Sequence, residues 1–255
     1  MKKHMLMTAL CSVAIPLSVN AQDATPKEGW TINAGVGALL SPNYLGDDAY
    51  SLSSVPYIRA TYGDRFFASV QEGTVYNLVA ADRFRAGPLA RLEFGRDEDG
   101  TSAFRIAGKK TDDLRGLGDI DTSISLGGFA EVDLGNITAS AVISQALGGH
   151  DGATGDISLS YKGTYMGMGP PVIYSLGPRL KFGDDTYMSS FFGVDGTQAQ
   201  ASGLSPFKAS GGAVSFGVSG TAIMPLTETL SVTLLTQYTH LTGDAANASL
   251  VKERG

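Results

Sequence analysis

Residues 119–143 read DIDTSISLGGFAEVDLGNITASAVI, and the character of the side chains changes at every second position. Ile120, Ile124, Leu126 and Val132 share one phase with the small residues Gly128 and Ala130. Asp121, Ser123, Ser125, Glu131 and Asp133 share the other. After Leu134-Gly135-Asn136 the alternation resumes, with Ile137, Ala139, Ala141 and Ile143 against Thr138 and Ser140. A repeat of two is that of a strand, and two such runs around a Gly-Asn break form an antiparallel hairpin. A soluble sandwich would carry the same pattern, with its apolar face turned into a core. Here the pattern recurs along most of the chain behind an export signal, which favours a membrane barrel with its apolar phase on lipid.

The signal is read at the N-terminus. Lys2 and Lys3 form a basic start, an apolar run over residues 5–19 is too short to span a bilayer, and Val19-Asn20-Ala21 closes it. Residues 1–21 are therefore expected to be a signal peptide cleaved after Ala21, and residues 22–255 the barrel. The only cysteine, Cys11, falls inside the signal with Leu10 before it, which argues against lipidation and leaves the mature chain without thiol chemistry. No later run is long and apolar enough for a transmembrane helix. Only 17% of residues are charged and 33 are glycine, a balance that suits a Gly/Ser/Thr-rich β protein better than a globular enzyme.

Taken in order, the alternation predicts eleven strands, beginning at residues 30–40 behind Trp30, which suits an interfacial aromatic girdle. A single strand is expected over residues 66–78, kinked near Gly73, and another over residues 187–194. Short connections at Gly63-Asp64, Asp184-Asp185 and Leu226-Thr227 alternate with longer ones, as periplasmic turns and external loops do. By this parity the long segment 95–118 falls on the periplasmic side. Charges on the phase opposite the apolar one are costly against lipid, so Arg83, Arg85, Arg91, Glu93, Asp121, Glu131, Lys162, Arg179 and Lys181 are the candidates for lining the lumen. Their balance is net basic, which would favour anions.

Catalytic and metal signals are sparse. His150-Asp151 lies in the glycine-rich turn GGHDGATG, and two potential ligands do not make a metal site. The acidic pairs Asp47-Asp48, Asp112-Asp113 and Asp184-Asp185 do not match a calcium loop and read as polar turns. His240-Leu241-Thr242 is loosely similar to the His-x-Ser of lipid A deacylases, but Thr stands for Ser and Glu253 is the only formal orienting carboxylate. No catalytic residue, cofactor or metal is assigned, and the chain carries no phosphate loop and no basic tract for nucleic acid.

The stretches GVGALLSPNYLGDD, YGDRFFAS, FRAGPLARLEFGRDED, LRGLGDIDTSISLGGFAEV, GHDGATGDISLSY, DDTYMSSFFGVD and LTGDAANASLVKERG run in order over nearly all of residues 22–255. Together they resemble the MipA/OmpV family, the MltA-interacting proteins of Gram-negative outer membranes. The resemblance implies an antiparallel transmembrane β-barrel that is not an enzyme. It further implies a scaffold joining a murein transglycosylase to a murein synthase, with outer-membrane lipid around the barrel. A scaffold of this kind needs periplasmic surface, and by the strand parity segment 95–118 is the expected docking surface. The alternatives are a narrow porin-like channel and, less favoured, a surface lipid hydrolase. Members of the family continue past the region matching Val251-Lys252-Glu253-Arg254-Gly255, and bacterial barrels have an even strand number. The expectation is therefore an all-β barrel of about twelve strands with the last missing. The resulting seam would lie between the strands at residues 30–40 and 230–241.

Overall fold

The computed structural model describes the backbone of residues 5–17 and the whole of residues 29–100 and 104–255. Lys2, Lys3, His4 and the cleavage point after Ala21 lie outside the described residues. The sheet has fourteen strands. These are β1 (Met5–Leu17), β2 (Trp30–Pro42), β3 (Tyr50–Tyr62), β4 (Phe66–Ser69), β5 (Gly73–Tyr76), β6 (Val79–Ala81) and β7 (Phe84–Glu93). They continue with β8 (Arg105–Ala107), β9 (Ser123–Asp133), β10 (Ile137–Leu147), β11 (Ala153–Tyr165), β12 (Val172–Gly183), β13 (Gly212–Pro225) and β14 (Ser231–Leu241). All pairings between them are antiparallel. β6 and β8 are short side pieces on β7 and β3. The others close a circuit, because β2 pairs with β3 on one edge and with β1 on the other.

Alternation sets the two faces. Val36, Ile124, Leu126, Ile143, Ile157, Leu159, Leu176 and Phe216 are exposed on the outside, while Ser123, Ser125, Thr138, Ser144, Thr154 and Thr233 are buried on the inside. An apolar exterior over a polar interior is the arrangement lipid demands of a barrel wall. Trp30 packs against Tyr62 and Phe66 at ring-centroid distances of 5.3 and 5.5 Å. This aromatic group sits at the tight-turn end, where amphipathic rings suit the interface.

The expected count of eleven contained two compensating departures. Residues 66–78 are not one strand. Ser69 pairs with Gly73 across a turn, so β4 and β5 form a hairpin. Gly73 has φ +88°, and a Cβ there would lie 2.5 Å from the Ala90 carbonyl oxygen, so only glycine lets this turn lie against β7. Residues 187–194 are not a strand either. Asp184 caps the N-terminus of α1 (Asp185–Phe192) by accepting from the Tyr187 N–H. Tyr187, Met188, Phe191 and Phe192 then recur at helical spacing.

The extra hairpin reverses the direction of every strand from β7 to β12 relative to the expected parity. Segment 95–118 therefore joins the end that carries the longer connections and lies opposite the tight turns, which corrects its expected position. Its described residues are part of a packed cap there. The other parts are loop 43–49, the turn around His150, α1, α2 (Gly196–Ser202), α3 (Gly243–Asn247) and α4 (Ser249–Arg254). Tyr187, Met188 and Phe192 pack with Val214, Leu241, Ala245, Ala248 and Val251 in one buried cluster. Tyr44, Leu114, Leu117, Val194, Leu204 and Leu250 form a second. Arg254 ties them by donating to the carbonyls of Asp113 and Ser202.

β1 lies in the place that the strand count left vacant. Its register runs from Met5↔His240 to Ala14↔Ser231 on β14, and from Ala9↔Leu40 to Leu17↔Ile32 on β2. β2 and β14 run in the same direction, so one antiparallel strand between them pairs both edges. Each backbone group left unpaired against lipid costs several kcal/mol. A chain beginning at Gln22 is therefore expected to refold to less heat-modifiable barrel than the full chain. A synthetic peptide of residues 5–17 added during refolding is expected to restore it. Equal heat-modifiable fractions with and without residues 5–17 would show that the seam closes by another route.

Candidate functional site: the charged interior and its cap

The inward charges are arranged as partners. On β7 the inward residues follow one another from the tight-turn end to the cap as Arg85, Gly87, Leu89, Arg91 and Glu93. Arg85 bonds Glu131 of β9 directly. Lys162 Nζ lies 3.3 Å from Asp133 Oδ2, and Arg59 Nη1 lies 3.5 Å from Glu72 Oε2. Deeper in, Arg179 donates to Asp156 Oδ1 through Nε at 2.9 Å and Nη2 at 2.8 Å, and Arg91 approaches Asp156 Oδ2 at 3.9 Å. Arg179 Nη1 also donates to Gln237 Oε1 at 3.3 Å. The set Arg91, Asp156, Arg179 and Gln237 thus links β7, β11, β12 and β14 across the bore.

Above this network a second group fastens the cap to the wall. His150 Nδ1 accepts from the Gly152 N–H at 3.0 Å, which leaves the proton on Nε2 to donate to Glu93 Oε2 at 2.9 Å. Glu93 Oε1 accepts from Ser125 Oγ at 2.7 Å. The buried His150 ring stands edge-on to Tyr187 and Phe191 of α1, and Lys181 Nζ lies 4.7 Å from the Tyr187 ring centre. Asp151 does not join His150 as a ligand, because its Oδ1 accepts from the Gly148 N–H at 2.6 Å. The turn reading of GGHDGATG is extended by this anchoring role.

Among the sequence candidates, Arg85, Arg91, Glu93, Glu131, Lys162, Arg179 and Lys181 occupy the strand face opposite the exposed apolar residues. Arg83 sits in the turn before β7, and Asp121 lies exposed ahead of β9. Adding Arg59 and the carboxylates Glu72, Asp133 and Asp156 narrows the net-basic balance, because most of the inward cations find a carboxylate partner. Asp156 shares its phase with Ser158, Ser160 and Lys162, and that alternation could have identified it. The hydrolase constellation is not assembled. His240 packs edge-on against Phe216, and Thr242 Oγ1 donates to the Ala213 carbonyl at 3.1 Å. No contact among the described residues joins either to Glu253.

The cap has its own electrostatics. Burial pushes the Tyr44 phenol up, and Asp47 and Asp113 nearby add to it. Burial also raises Asp47 above the usual carboxylate range, against the bonds it accepts from the Ala49 N–H and the Asn43 amide. Arg96 is lowered to about 10 by burial, with Asp119 opposing, and its Nη1 donates to the Phe191 carbonyl at 3.2 Å. These are the properties of polar groups locked into a packed lid.

The family model described as MltA-interacting protein MipA matches residues 34–255. The chain belongs to the MipA family. With a lipid-compatible exterior over a closed antiparallel circuit, it is an outer-membrane β-barrel protein. No curated protein matches it. Among solved structures, the chain is similar to OccAB1 of Acinetobacter baumannii, at 8% identity and a TM-score of 0.31 over 96% of this chain and 68% of that one. It is also similar to OccK8 (OprE) of Pseudomonas aeruginosa, at 11% identity and a TM-score of 0.29 over 96% and 73%. A bacterial polysaccharide outer membrane secretin gives 8% identity and a TM-score of 0.25 over 95% and 100%.

Among the described residues His150 supplies the one donor that reaches Glu93 from the cap, and His150→Ala removes it. A hydrogen bond to a charged group contributes about 1.5–3 kcal/mol, so urea unfolding is expected to show the variant less stable by about that amount. Its hydrogen-exchange protection in α1 is expected to fall first. Unchanged protection of α1 would mean that the two apolar clusters hold the cap without this anchor.

Proposed function

We propose that this protein is a non-enzymatic scaffold in the outer membrane that docks murein-processing enzymes, a transglycosylase and a synthase, at its tight-turn end. The observation that carries this reading is the match over residues 34–255 to a family described as MltA-interacting. In bacterial outer-membrane barrels the short turns face the periplasm, which is where murein and its enzymes lie. Export belongs to the same reading, and cleavage after Ala21 would remove β1 and leave β2 and β14 without their shared neighbour.

The docking surface has to be found anew, since segment 95–118 is folded into the cap at the other end with Leu114 and Leu117 buried. The turn between β11 and β12, at residues 166–171, is the candidate. It reads MGMGPP, and both Met166 and Met168 stand exposed beyond the barrel wall with Tyr165 beside them. Protruding methionines suit adaptable contact with a partner. The paired charges across the bore and the packed cap favour this reading over a free channel, and refolded protein in planar bilayers is expected to give no steady conductance.

Replacing Met166 and Met168 by Ser should leave the barrel heat-modifiable and abolish capture of a purified lytic transglycosylase. Capture that survives the double change would remove this turn from the reading. A folded wild-type barrel that captures neither enzyme class would end the scaffold proposal itself.

A further inference from the structure

The inside of a membrane barrel is ordinarily polar, yet five neighbouring inward positions on β4, β5, β7, β9 and β10 are not. Phe67 pairs with Val75, and Val75 pairs with Leu89. Beside them Gly87 pairs with Phe129, and Phe129 with Val142. Residues paired in register share a face, so β4, β5, β7, β9 and β10 contribute one inward apolar band. The band lines a cavity of about 790 Å³ that reaches the tight turns at Gly63-Asp64 and Asp82-Arg83. That volume lies within the range of small-molecule sites, about 300–1,000 Å³.

Charged residues of both signs flank the band. Arg59 lies over the Phe67 ring, 4.4 Å from its centre, and is paired with Glu72, while Arg85 lies toward the mouth paired with Glu131. Arg91 lines the inner end and is under-compensated. Its nearest carboxylate oxygen, on Asp156, is 3.9 Å away, and Arg179 binds that carboxylate more closely at 2.8 Å. Arg91 Nε is buried with no hydrogen-bond partner. A buried guanidinium N–H without an acceptor is costly, and it stands beside apolar surface that water covers unfavourably.

We propose that this cavity binds a small amphipathic carboxylate entering from the tight-turn end, with its hydrocarbon or aromatic body against the Phe67–Phe129–Val142 band and its carboxylate on Arg91. An inorganic anion would leave the band wet, and a neutral hydrocarbon would leave Arg91 unsatisfied. The site is independent of the methionine turn, so the two proposals stand or fall separately.

The test uses the full chain in lipid nanodiscs and measures binding of 3-phenylpropionate by equilibrium dialysis against empty discs. Saturable binding is expected. Arg91→Gln is expected to weaken it about tenfold or more, the consequence of losing a charge-assisted hydrogen bond. Phe129→Ser should weaken it similarly, and the nearly isosteric Val142→Thr several-fold, each in protein whose heat-modifiable migration is intact. Equal binding of 3-phenylpropanol overturns the proposal, because the carboxylate would then not matter. Competition by inorganic phosphate with no effect of Phe129→Ser or Val142→Thr also overturns it, since the site would be a bare anion site. Absence of saturable binding to the folded wild-type protein does the same.

Discussion

A strand that faces lipid cannot leave its backbone edge unpaired, and the rest of this structure follows from that constraint. Every large strand has two antiparallel neighbours, and the circuit closes only because one strand runs between β2 and β14. The pairing requirement decides the direction of each strand, and direction decides which end of the barrel each connection occupies. The β4–β5 hairpin shows how sensitive this is. One turn at Gly73 moves segment 95–118 from one end of the barrel to the other.

Inside, the same closure brings charges from distant stretches into one enclosed space, where an unpaired charge is expensive. Asp156 answers Arg179 and Arg91, Glu131 answers Arg85, and Asp133 answers Lys162. This pairing leaves few of the inward cations without a carboxylate and holds opposite walls together. The cap continues the pattern, with His150 joining Glu93 of the wall to the aromatic face of α1. An arrangement of this kind makes a rigid wall around a recess that opens at the tight-turn end.

The interior was partly legible in the sequence. Arg85, Arg91, Glu93, Glu131, Lys162, Arg179 and Lys181 could be placed on one phase because the side-chain repeat of a strand is two. Their partners could not be chosen, because pairing depends on which strands lie opposite and at what register. The apolar band at Phe67, Val75, Leu89, Phe129 and Val142 was overlooked. Phe129 lies between Ser125 and Glu131, and Val142 between Ser140 and Ser144, so each breaks a polar phase. Such a break is visible in one strand, but it becomes a site only when neighbouring strands align their breaks.

By itself the sequence determined the class of this protein. Period-two alternation without a spanning helix specifies an antiparallel wall with one apolar face, and the number and direction of the strands at the seam left room for one more. Tertiary structure decided what alternation cannot encode. The residue run DDTYMSSFF alternates poorly and caps well, and it became a helix because Asp184 and the apolar residues at helical spacing found a barrel mouth to fill. The end occupied by segment 95–118, the matching of every inward charge and the recess beneath the cap depend on strand pairing between residues far apart in the chain. That pairing is a property of the closed circuit, not of any single stretch within it.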